Sequence, residues 1–436
     1  MTTTYARDFE AQASHPGARA PWLTALRREA QEHFERNGFP TSRDEDWRFL
    51  DLGPVTGREF PLAPWDVSGV SPEALAPWRF AIPEVTTLVF VNGRFAPALS
   101  SAAELPVGMT VRNLAGALAS GGEVLERHLG RYAGPTSGGF TALNTGFLKD
   151  GLFVHVARGT TVAPPVHAIY LTDQRGVGAA THPRTLVVVE EGASATVLES
   201  FVGLCDGTYL TNAVTEALIG DGASLVHAKL QHESERAVHV GTTHIRHGRD
   251  SRGQSFSVSF GAALCRNNLD VVLDGPGVET EMLGLYLGRG TQEVDNHTSL
   301  LHAHPNCGSR EIYKGILDGR SHGVFNGKIY VTPIAQKTDA KQTNRAILLS
   351  DQARIDTKPQ LEIFADDVKC THGATVGSID PNAAFYCRSR GIPEAQARKV
   401  LTYAFAAEVL EFMPWADVRD RLEAEVMRRL DVRVEG

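Results

Sequence analysis

The sequence lacks long apolar runs and an excess of basic residues. Its 436 residues contain no apolar run of about 18, and the first 22 show no apolar core of a signal peptide. With 43 Lys and Arg against 51 Asp and Glu, the net charge of −8 provides no positive field for phosphates. We therefore expect a cytoplasmic protein that has neither nucleic acid nor a membrane among its partners.

Cysteine is scarce and scattered. An odd number of widely spaced cysteines without a C-x-x-C pair argues against a disulfide framework and against a self-contained zinc site. Reduced thiols are expected at all five positions, which are Cys205, Cys265, Cys307, Cys370 and Cys387.

Motifs for nucleotide binding and for serine catalysis are also missing. The sequence has no G-x-x-x-x-G-K-[ST], and the glycine-rich phrase from Gly284 to Gly290 does not lead into a clear helix. No G-x-S-x-G is present, so a serine hydrolase has no support. The composition, 42% hydrophobic and 22% charged, is that of a folded globular protein of two or three structural units.

The first unit is predicted to be helical and to span residues 1–84. The stretch from Pro21 to Gly38 has apolar residues near helical spacing and a glycine as its stop. Closely spaced prolines between Pro40 and Pro83 predict an extended connection. The dipeptide Asn92-Gly93 then suits the positive φ angles of a type I′ turn, so a hairpin should follow.

Short β-rich segments with small turns between them dominate residues 85–379. The phrases VARGTTV, VEEGASATV and IGDGASLV each place a small or polar turn between β-branched residues. No helical crossover of ten or more residues separates these strands, which favours coils of a parallel β-helix that cover one another's apolar faces. A large β-sandwich is the alternative.

A second helical unit is predicted for residues 380–436. Asp380-Pro381 can cap and start a helix, Gly391 can end it, and Pro393 can open the next helix, which ends before Pro414. The segment WADVRDRLEAEVMRRL then carries one apolar stripe. Helices at both ends would also protect the exposed edges of a solenoid.

Two groups of histidines are more simply explained by structural roles than by metal binding. His302, His304 and Cys307 form H-x-H-x-x-C, a spacing that could bring three ligands to one metal ion. The following turn and the missing fourth ligand favour a hydrogen-bonded polar ladder instead. A second group alternates with polar residues and is predicted to lie on a solvated sheet face. Its members are His239, His244 and His247.

Two pairs of polar residues near the end of the β-rich region are candidates for chemical function, one for acid–base catalysis and one for metal binding. The adjacent Asp366 and Asp367 would point to opposite faces of a strand, which favours a turn over acid–base catalysis. Cys370 and His372 would project to the same side of a strand, about 7 Å apart. A thiolate and an imidazole are half of a metal site, which a partner subunit could complete. The alternative is a buried cysteine beside a surface histidine.

A long phrase from Phe325 to Gly391 resembles the core signature of the SufB/SufD family of iron-sulfur cluster assembly proteins. Shorter resemblances lie at Pro40 to Phe49, at Asn144 to Val162 and at Arg310 to Gly319. Arg345 stands where SufB-type proteins carry the cysteine of a TQCDS phrase, and DDVKCTHGATVG is typical of SufD-type members. The resemblance implies a right-handed parallel β-helix between helical domains.

The resemblance further implies a non-catalytic scaffold subunit that pairs with a SufB-like paralogue and a SufC-like ATPase to support cluster formation and iron acquisition. Cys370 and His372 match residues at the interface where a nascent iron-sulfur cluster forms. Residues of the C-terminal helices would dock the ATPase; they are Tyr386, Arg388, Arg390, Tyr403, Phe405 and Glu408.

Several alternatives stay open at this point. A stand-alone β-helical enzyme and a homodimeric SufB-like scaffold are the two rival functions. The isolated chain could form a homodimer through solenoid edges. The sequence does not decide whether a flavin binds the assembled complex, whether a cluster rests on this chain, or which C-terminal residues touch the ATPase.

Overall fold

A computed structural model describes residues 5, 8, 9, 20–161 and 165–431, and shows a mainly β protein with helices towards both ends. The strands are β1 (Thr86–Val91), β2 (Arg94–Phe95), β3 (Met109–Asn113), β4 (Gly151–Val156), β5 (Val166–Thr172), β6 (Ala180–Thr181), β7 (Arg184–Val189), β8 (Ser194–Gly203), β9 (Leu210–Ile219), β10 (Ser224–His232), β11 (Val238–His247), β12 (Arg252–Ser259), β13 (Leu264–Leu273), β14 (Glu279–Gly288), β15 (Glu293–His302), β16 (Gly308–Leu317), β17 (His322–Val331), β18 (Asp339–Leu348), β19 (Arg354–Ile363) and β20 (Lys369–Gly377).

The α-helices with described bounds are α1 (Pro21–Asn37), α2 (Gly53–Thr56), α3 (Pro72–Leu75), α4 (Leu114–Ser120), α5 (Glu123–His128), α6 (Gly139–Gly146), α7 (Pro381–Ser389), α8 (Glu394–Leu410) and α9 (Ala416–Arg429). Short 3₁₀ helices occupy Glu45–Trp47, Ala76–Trp78, Pro97–Leu99 and Gln174–Gly176. Among the described residues, no helix has the length and apolar character needed to cross a membrane.

From β7 onward, successive strands alternate between two sheets, and each pairs in parallel with the strand two places along the chain. Sheet A runs β19-β17-β15-β13-β11-β9-β7-β4-β3, with β6 paired to β9, and sheet B runs β2-β1-β5-β8-β10-β12-β14-β16-β18-β20. Among the described strands, only the β1–β2 and β3–β4 pairs are antiparallel. This alternation confirms the parallel β-solenoid and rules out the β-sandwich.

The turn phrases stack on one another, which explains their repetition. Gly159, Gly192 and Gly222 have φ angles of 70°, 64° and 63°, a region that glycine enters without steric cost. The backbone N–H of Gly192 donates to Asp221 at 2.8 Å, and that of Gly222 donates to Arg249 at 2.7 Å. Each turn therefore bonds to the turn of the next coil. Val162, at the end of the first phrase, lies outside the described residues.

The local predictions for the N-terminal half are confirmed. Helix α1 ends before Gly38, whose φ is 66°. Asn92 and Gly93 have φ angles of 49° and 80° and join β1 to β2 as a hairpin. Helices α4, α5 and α6 lie within the stretch predicted as β-rich. The limits of independent domains, at residues 84 and 379, stay predictions. Residues 1–4, 6–7, 10–19 and 432–436 of the outer units lie outside the described chain.

The prediction of a solvated face is wrong for His239 and His247. Both side chains are fully buried inside the solenoid, where His239 Nδ1 lies 2.7 Å from Glu233 Oε2 and His247 Nδ1 lies 2.9 Å from Ser251 Oγ. The assignment of all three histidines to one face is also wrong, because His244 is five residues from His239 and so points to the opposite side of the strand. His244, on the other face of β11, is partly exposed and pairs with Asp270 at 3.2 Å.

The C-terminal helices follow the predicted caps and pack on the outer face of sheet B. The side chain of Asp380 accepts from the backbone N–H of Asn382 at 2.9 Å, and Gly391 has a φ of 85°. Buried side chains of α8 and α9 form one apolar cluster with strands of sheet B. From the helices this cluster includes Ala406, Val409, Leu410, Val418, Leu422 and Val426, and from the sheet Phe256, Val258, Leu283, Leu285 and Ile316.

Candidate functional site

The C-terminal end of the solenoid is open. Strand β19 is last in sheet A and pairs only with β17, while β20 is last in sheet B and pairs only with β18. Within the described part of the chain, the backbone groups on the far side of both strands therefore have no strand partner. Along β20 every residue is exposed except Cys370, which is half-buried. An edge of this kind is a template for pairing with another chain.

Cys370 and His372 share the face of β20 that continues the solenoid interior. Cys370 is in register with Ala340 of β18 and contacts the main core cluster, whereas His372 is in register with Gln342. Because side chains two apart lie on one face of a strand, the predicted shared side is confirmed. Burial raises the pKa of the Cys370 thiol, so the thiol is protonated at neutral pH in the single chain.

The pair is not a complete metal site within one chain. In the residues that the structure describes, no group of three or more His, Cys, Asp or Glu side chains is placed to hold a metal ion. Soft transition metals bound by thiolate and imidazole ordinarily take four ligands, so two further ligands would have to come from elsewhere. Metal binding by Cys370 and His372 stays a prediction.

Large apolar side chains are exposed near the same end. Val376 of β20 is 44% exposed, and Phe364, directly after β19, is 55% exposed. Ile334, in the turn that leads into β18, is also exposed. Apolar exposure beside unpaired strand edges is typical of a protein–protein contact surface.

A buried carboxyl lies behind the pair and was not identified from the sequence. Glu311 of β16 and Gln342 of β18 are 1% and 2% exposed, and Gln342 Nε2 donates to Glu311 Oε2 at 2.8 Å. Burial raises the pKa of Glu311 to about 7, although hydrogen bonds from Thr298 and Gln342 oppose the shift. The two residues are 31 positions apart, so only the register of the coils brings them together.

The other candidate residues have structural roles. His302 Nε2 lies 3.0 Å from Ser309 Oγ, and the Cys307 thiol donates to the carbonyl of Gly275 at 3.3 Å. His304 is partly exposed near Asp274, so these three do not converge, and the interpretation as ordinary hydrogen-bonded side chains is confirmed.

The adjacent aspartates also lie where a turn was predicted. Asp366 and Asp367 lie in a bend between β19 and β20. The carboxylate of Asp367 pairs with Lys337, and its backbone N–H donates to Gln336 Oε1 at 2.9 Å. The prediction of a turn is confirmed.

The six residues predicted to dock an ATPase fall into two groups. Tyr386, Arg388 and Arg390 lie at the exposed end of α7, where the Arg390 guanidinium lies 5.2 Å from the Tyr386 ring centre. The neighbouring Phe385, which was not identified from the sequence, is 69% exposed. This first group is accessible to a partner.

The second group holds helix α8 in place. Tyr403 Oη donates to Glu423 Oε2 of α9 at 2.7 Å. The ammonium of Lys314 on β16 donates to the Phe405 carbonyl at 2.9 Å and to Glu408 Oε2 at 2.5 Å. Tyr403, Phe405 and Glu408 therefore already have contacts within the chain, and docking by any of the six stays a prediction.

Comparison with known proteins places almost the whole chain in one family. Residues 2–168 match the SufBD protein N-terminal region, and residues 170–405 match the SufBD core domain of the SUF system for iron-sulfur cluster assembly. The chain is 34% identical over 411 residues to the iron-sulfur cluster assembly protein SufD of Escherichia coli K12, covering 92% of each. It is 36% identical over 395 residues to an iron-sulfur cluster assembly SufBD family protein of Synechocystis, covering 88% of this chain and 86% of the relative.

Proposed function

Since the chain belongs to the SufBD family of iron-sulfur cluster assembly proteins, we propose that it is the SufD-type scaffold subunit of a SufBCD complex. In this complex it pairs with a SufB-like paralogue and with a SufC-like ATPase. The observation that carries the proposal is the open end of the solenoid, where Cys370 and His372 lie on unpaired strand β20.

The open end supports pairing with a second β-solenoid. A partner that brought its own edge strands would satisfy the backbone groups of β19 and β20 and cover Val376 and Phe364. A paralogue with the same architecture offers such edges. A second copy of this chain could use the same end when the paralogue is absent, which would give a homodimer.

The nascent cluster is cargo of the complex and is assembled between the two solenoids. Cys370 would supply a thiolate and His372 an imidazole, while the partner would supply the remaining ligands. Because burial raises the pKa of Cys370, the thiol must lose its proton when iron or sulfide arrives. Metal binding must displace this proton, and the free energy that this costs weakens metal binding in the isolated chain.

The C-terminal helices would transmit the motion of the ATPase to the solenoid. Phe385, Tyr386, Arg388 and Arg390 form an exposed apolar and cationic patch suited to a protein partner. Lys314 joins α8 to β16, the strand that also carries Glu311. ATP hydrolysis belongs to the partner, this chain has no turnover of its own, and a flavin on the assembled complex stays a prediction.

The test is co-expression of Cys370→Ala or His372→Ala chains with both partner subunits. We expect complexes of unchanged composition, because Cys370 is only half-buried and His372 is exposed. We also expect an iron and sulfide content reduced about tenfold or more, because a ligand is lost. Cys205→Ala is the matched control, since Cys205 is also a half-buried free thiol and lies in the loop after β8, far along the chain from β20. Full cluster content in both site variants would refute the proposal.

A further inference from the structure

One row of the solenoid interior leads from a buried carboxyl to the candidate site. The interior faces of neighbouring strands in sheet B place Glu311, Gln342 and His372 in successive register positions on β16, β18 and β20. The first two are buried and hydrogen-bonded to each other, and the third is exposed at the open end. The row therefore connects the core with the surface that carries Cys370.

The side chain of Gln342 points back, away from the open end. Its Nε2 atom lies 2.8 Å from Glu311 Oε2 of the preceding coil. The same nitrogen would lie only 2.4 Å from a Cβ built on Gly327 of β17, so the lack of a side chain at Gly327 gives the amide its room. The amide nitrogen is thus held on the Glu311 side.

The amide oxygen of Gln342 is buried and has no hydrogen-bond partner within the described chain. An unsatisfied buried acceptor of this kind is uncommon, because an unpaired buried polar group destabilises the folded chain. Above its pKa of about 7, Glu311 is a carboxylate and can only accept hydrogen bonds, so it requires the NH₂ end of the amide and leaves the oxygen for the other neighbour. That neighbour in register is His372, whose exposed ring makes no hydrogen bond to the oxygen in this structure and reaches it by turning towards the solenoid interior.

We propose that Gln342, oriented by Glu311, accepts a hydrogen bond from one ring N–H of His372 and thereby leaves the other ring nitrogen free to bind iron. The inference rests on the proposed function, in which His372 is a ligand. An amide oxygen accepts only, so the ring nitrogen that faces it must carry the proton. Metal-bound histidines are commonly fixed in one tautomer by an acceptor on the second nitrogen. Gln342 and Glu311 are positioning residues in this scheme.

The first test is the tautomer of His372 in the full, isolated chain. Two-bond ¹⁵N–¹H correlation spectra of histidine-labelled protein at pH 8, assigned with His372→Ala, report which ring nitrogen is protonated. We expect one tautomer in the natural chain, a mixture in Gln342→Met, and a weakened preference in Glu311→Gln, because an amide at position 311 can also donate to the Gln342 oxygen.

Gln231→Met is the matched control. Gln231 is also a buried glutamine on the interior of sheet B, and its Nε2 donates to Glu233 Oε2 at 3.1 Å. It lies on β10, and four strands of the sheet separate β10 from β20. A general effect of losing a buried amide would appear in both variants, whereas a positioning effect appears only at position 342. If Gln342→Met does not fold, Glu311→Gln provides the same comparison.

The second test measures binding of ferrous iron to the complex assembled with its partners. Loss of an orienting group typically lowers metal affinity about 10–100-fold, and we expect a decrease in this range for Gln342→Met but not for Gln231→Met. An unchanged tautomer in Gln342→Met, or a shifted tautomer with unchanged iron affinity, would overturn the inference. Normal cluster content in both Cys370→Ala and His372→Ala would instead refute the proposed function, because the tautomer of His372 is measured independently of any cluster.

Discussion

The pKa values of individual carboxyl groups inside the solenoid depend on their hydrogen-bond partners. Burial raises the pKa of Glu199 and Glu233, but hydrogen bonds and charge from His227 and His239 outweigh it and hold both values below the usual range. Glu311 has only neutral partners, so burial prevails there and its pKa rises to about 7. A histidine in the next strand therefore keeps the pKa of Glu199 and of Glu233 low despite burial.

The raised pKa of Glu311 predicts a pH-dependent cost to stability. Its pKa rises from 4.5 to about 7 in the folded chain, so folding favours the protonated form. The contribution of protonated Glu311 to the free energy of unfolding is fully present below about pH 4.5 and is lost as the pH rises through about 7. Glu311→Gln has no carboxyl to ionise, so it does not lose this contribution. Between pH 5 and pH 8 its free energy of unfolding, relative to that of the natural chain, should therefore rise by up to about 3 kcal/mol.

Urea unfolding of both chains at pH 5 and pH 8 measures this difference. Comparison with the variant cancels the contributions of other titrating groups, including Glu199 and Glu233, provided that they keep their partners. A difference in unfolding free energy that does not change with pH would show that Glu311 does not titrate in this range.

Elements of the N-terminal region are joined to sheet A by a buried ion pair. Arg184 of β7 and Glu216 of β9 are completely buried, with Arg184 Nη2 2.5 Å from Glu216 Oε1. Glu216 also accepts from the backbone N–H groups of Gly130, Tyr132 and Ala133, at 2.9 to 3.0 Å. One carboxylate thus fixes the loop after α5 against the solenoid.

Removal of this carboxylate should destabilise the chain strongly. Glu216→Ala leaves the Arg184 charge buried without its partner, which typically costs about 3–5 kcal/mol. Glu191→Ala is the control, because it removes the exposed Arg158–Glu191 pair and should cost less than about 1 kcal/mol. Chemical denaturation of both variants measures the two values. Equal decreases in unfolding free energy would show that the buried Arg184–Glu216 pair stabilises the chain no more than an exposed pair does.

Elements with a local signal could be predicted from the sequence, and contacts between coils could not. The stop at Gly38, the Asn92-Gly93 turn and the cap at Asp380 depend on residues close in sequence, and all three are confirmed. The shared face of Cys370 and His372 follows from the period of a strand alone. The Glu311–Gln342 contact depends on the register of two strands, which turn lengths set and composition does not reveal.

The whole molecule has two unlike ends. At its first end, short antiparallel strands β2 and β3 complete the sheets, and side chains of the N-terminal region cover the neighbouring outer faces. At its last end, β19 and β20 leave full-length parallel edges with exposed apolar side chains. This asymmetry favours one joint between solenoids, located beside Cys370 and His372.

Hydrogen–deuterium exchange of β19 and β20 tests this central claim most directly. The isolated chain, kept dilute enough to be monomeric, is compared with the chain assembled with its paralogue and ATPase. If the open end is the joint, outward amides of both strands exchange rapidly alone and at least about tenfold more slowly in the complex, while β10 in the middle of sheet B is unchanged. Equally fast exchange at β19 and β20 in both states would contradict the account.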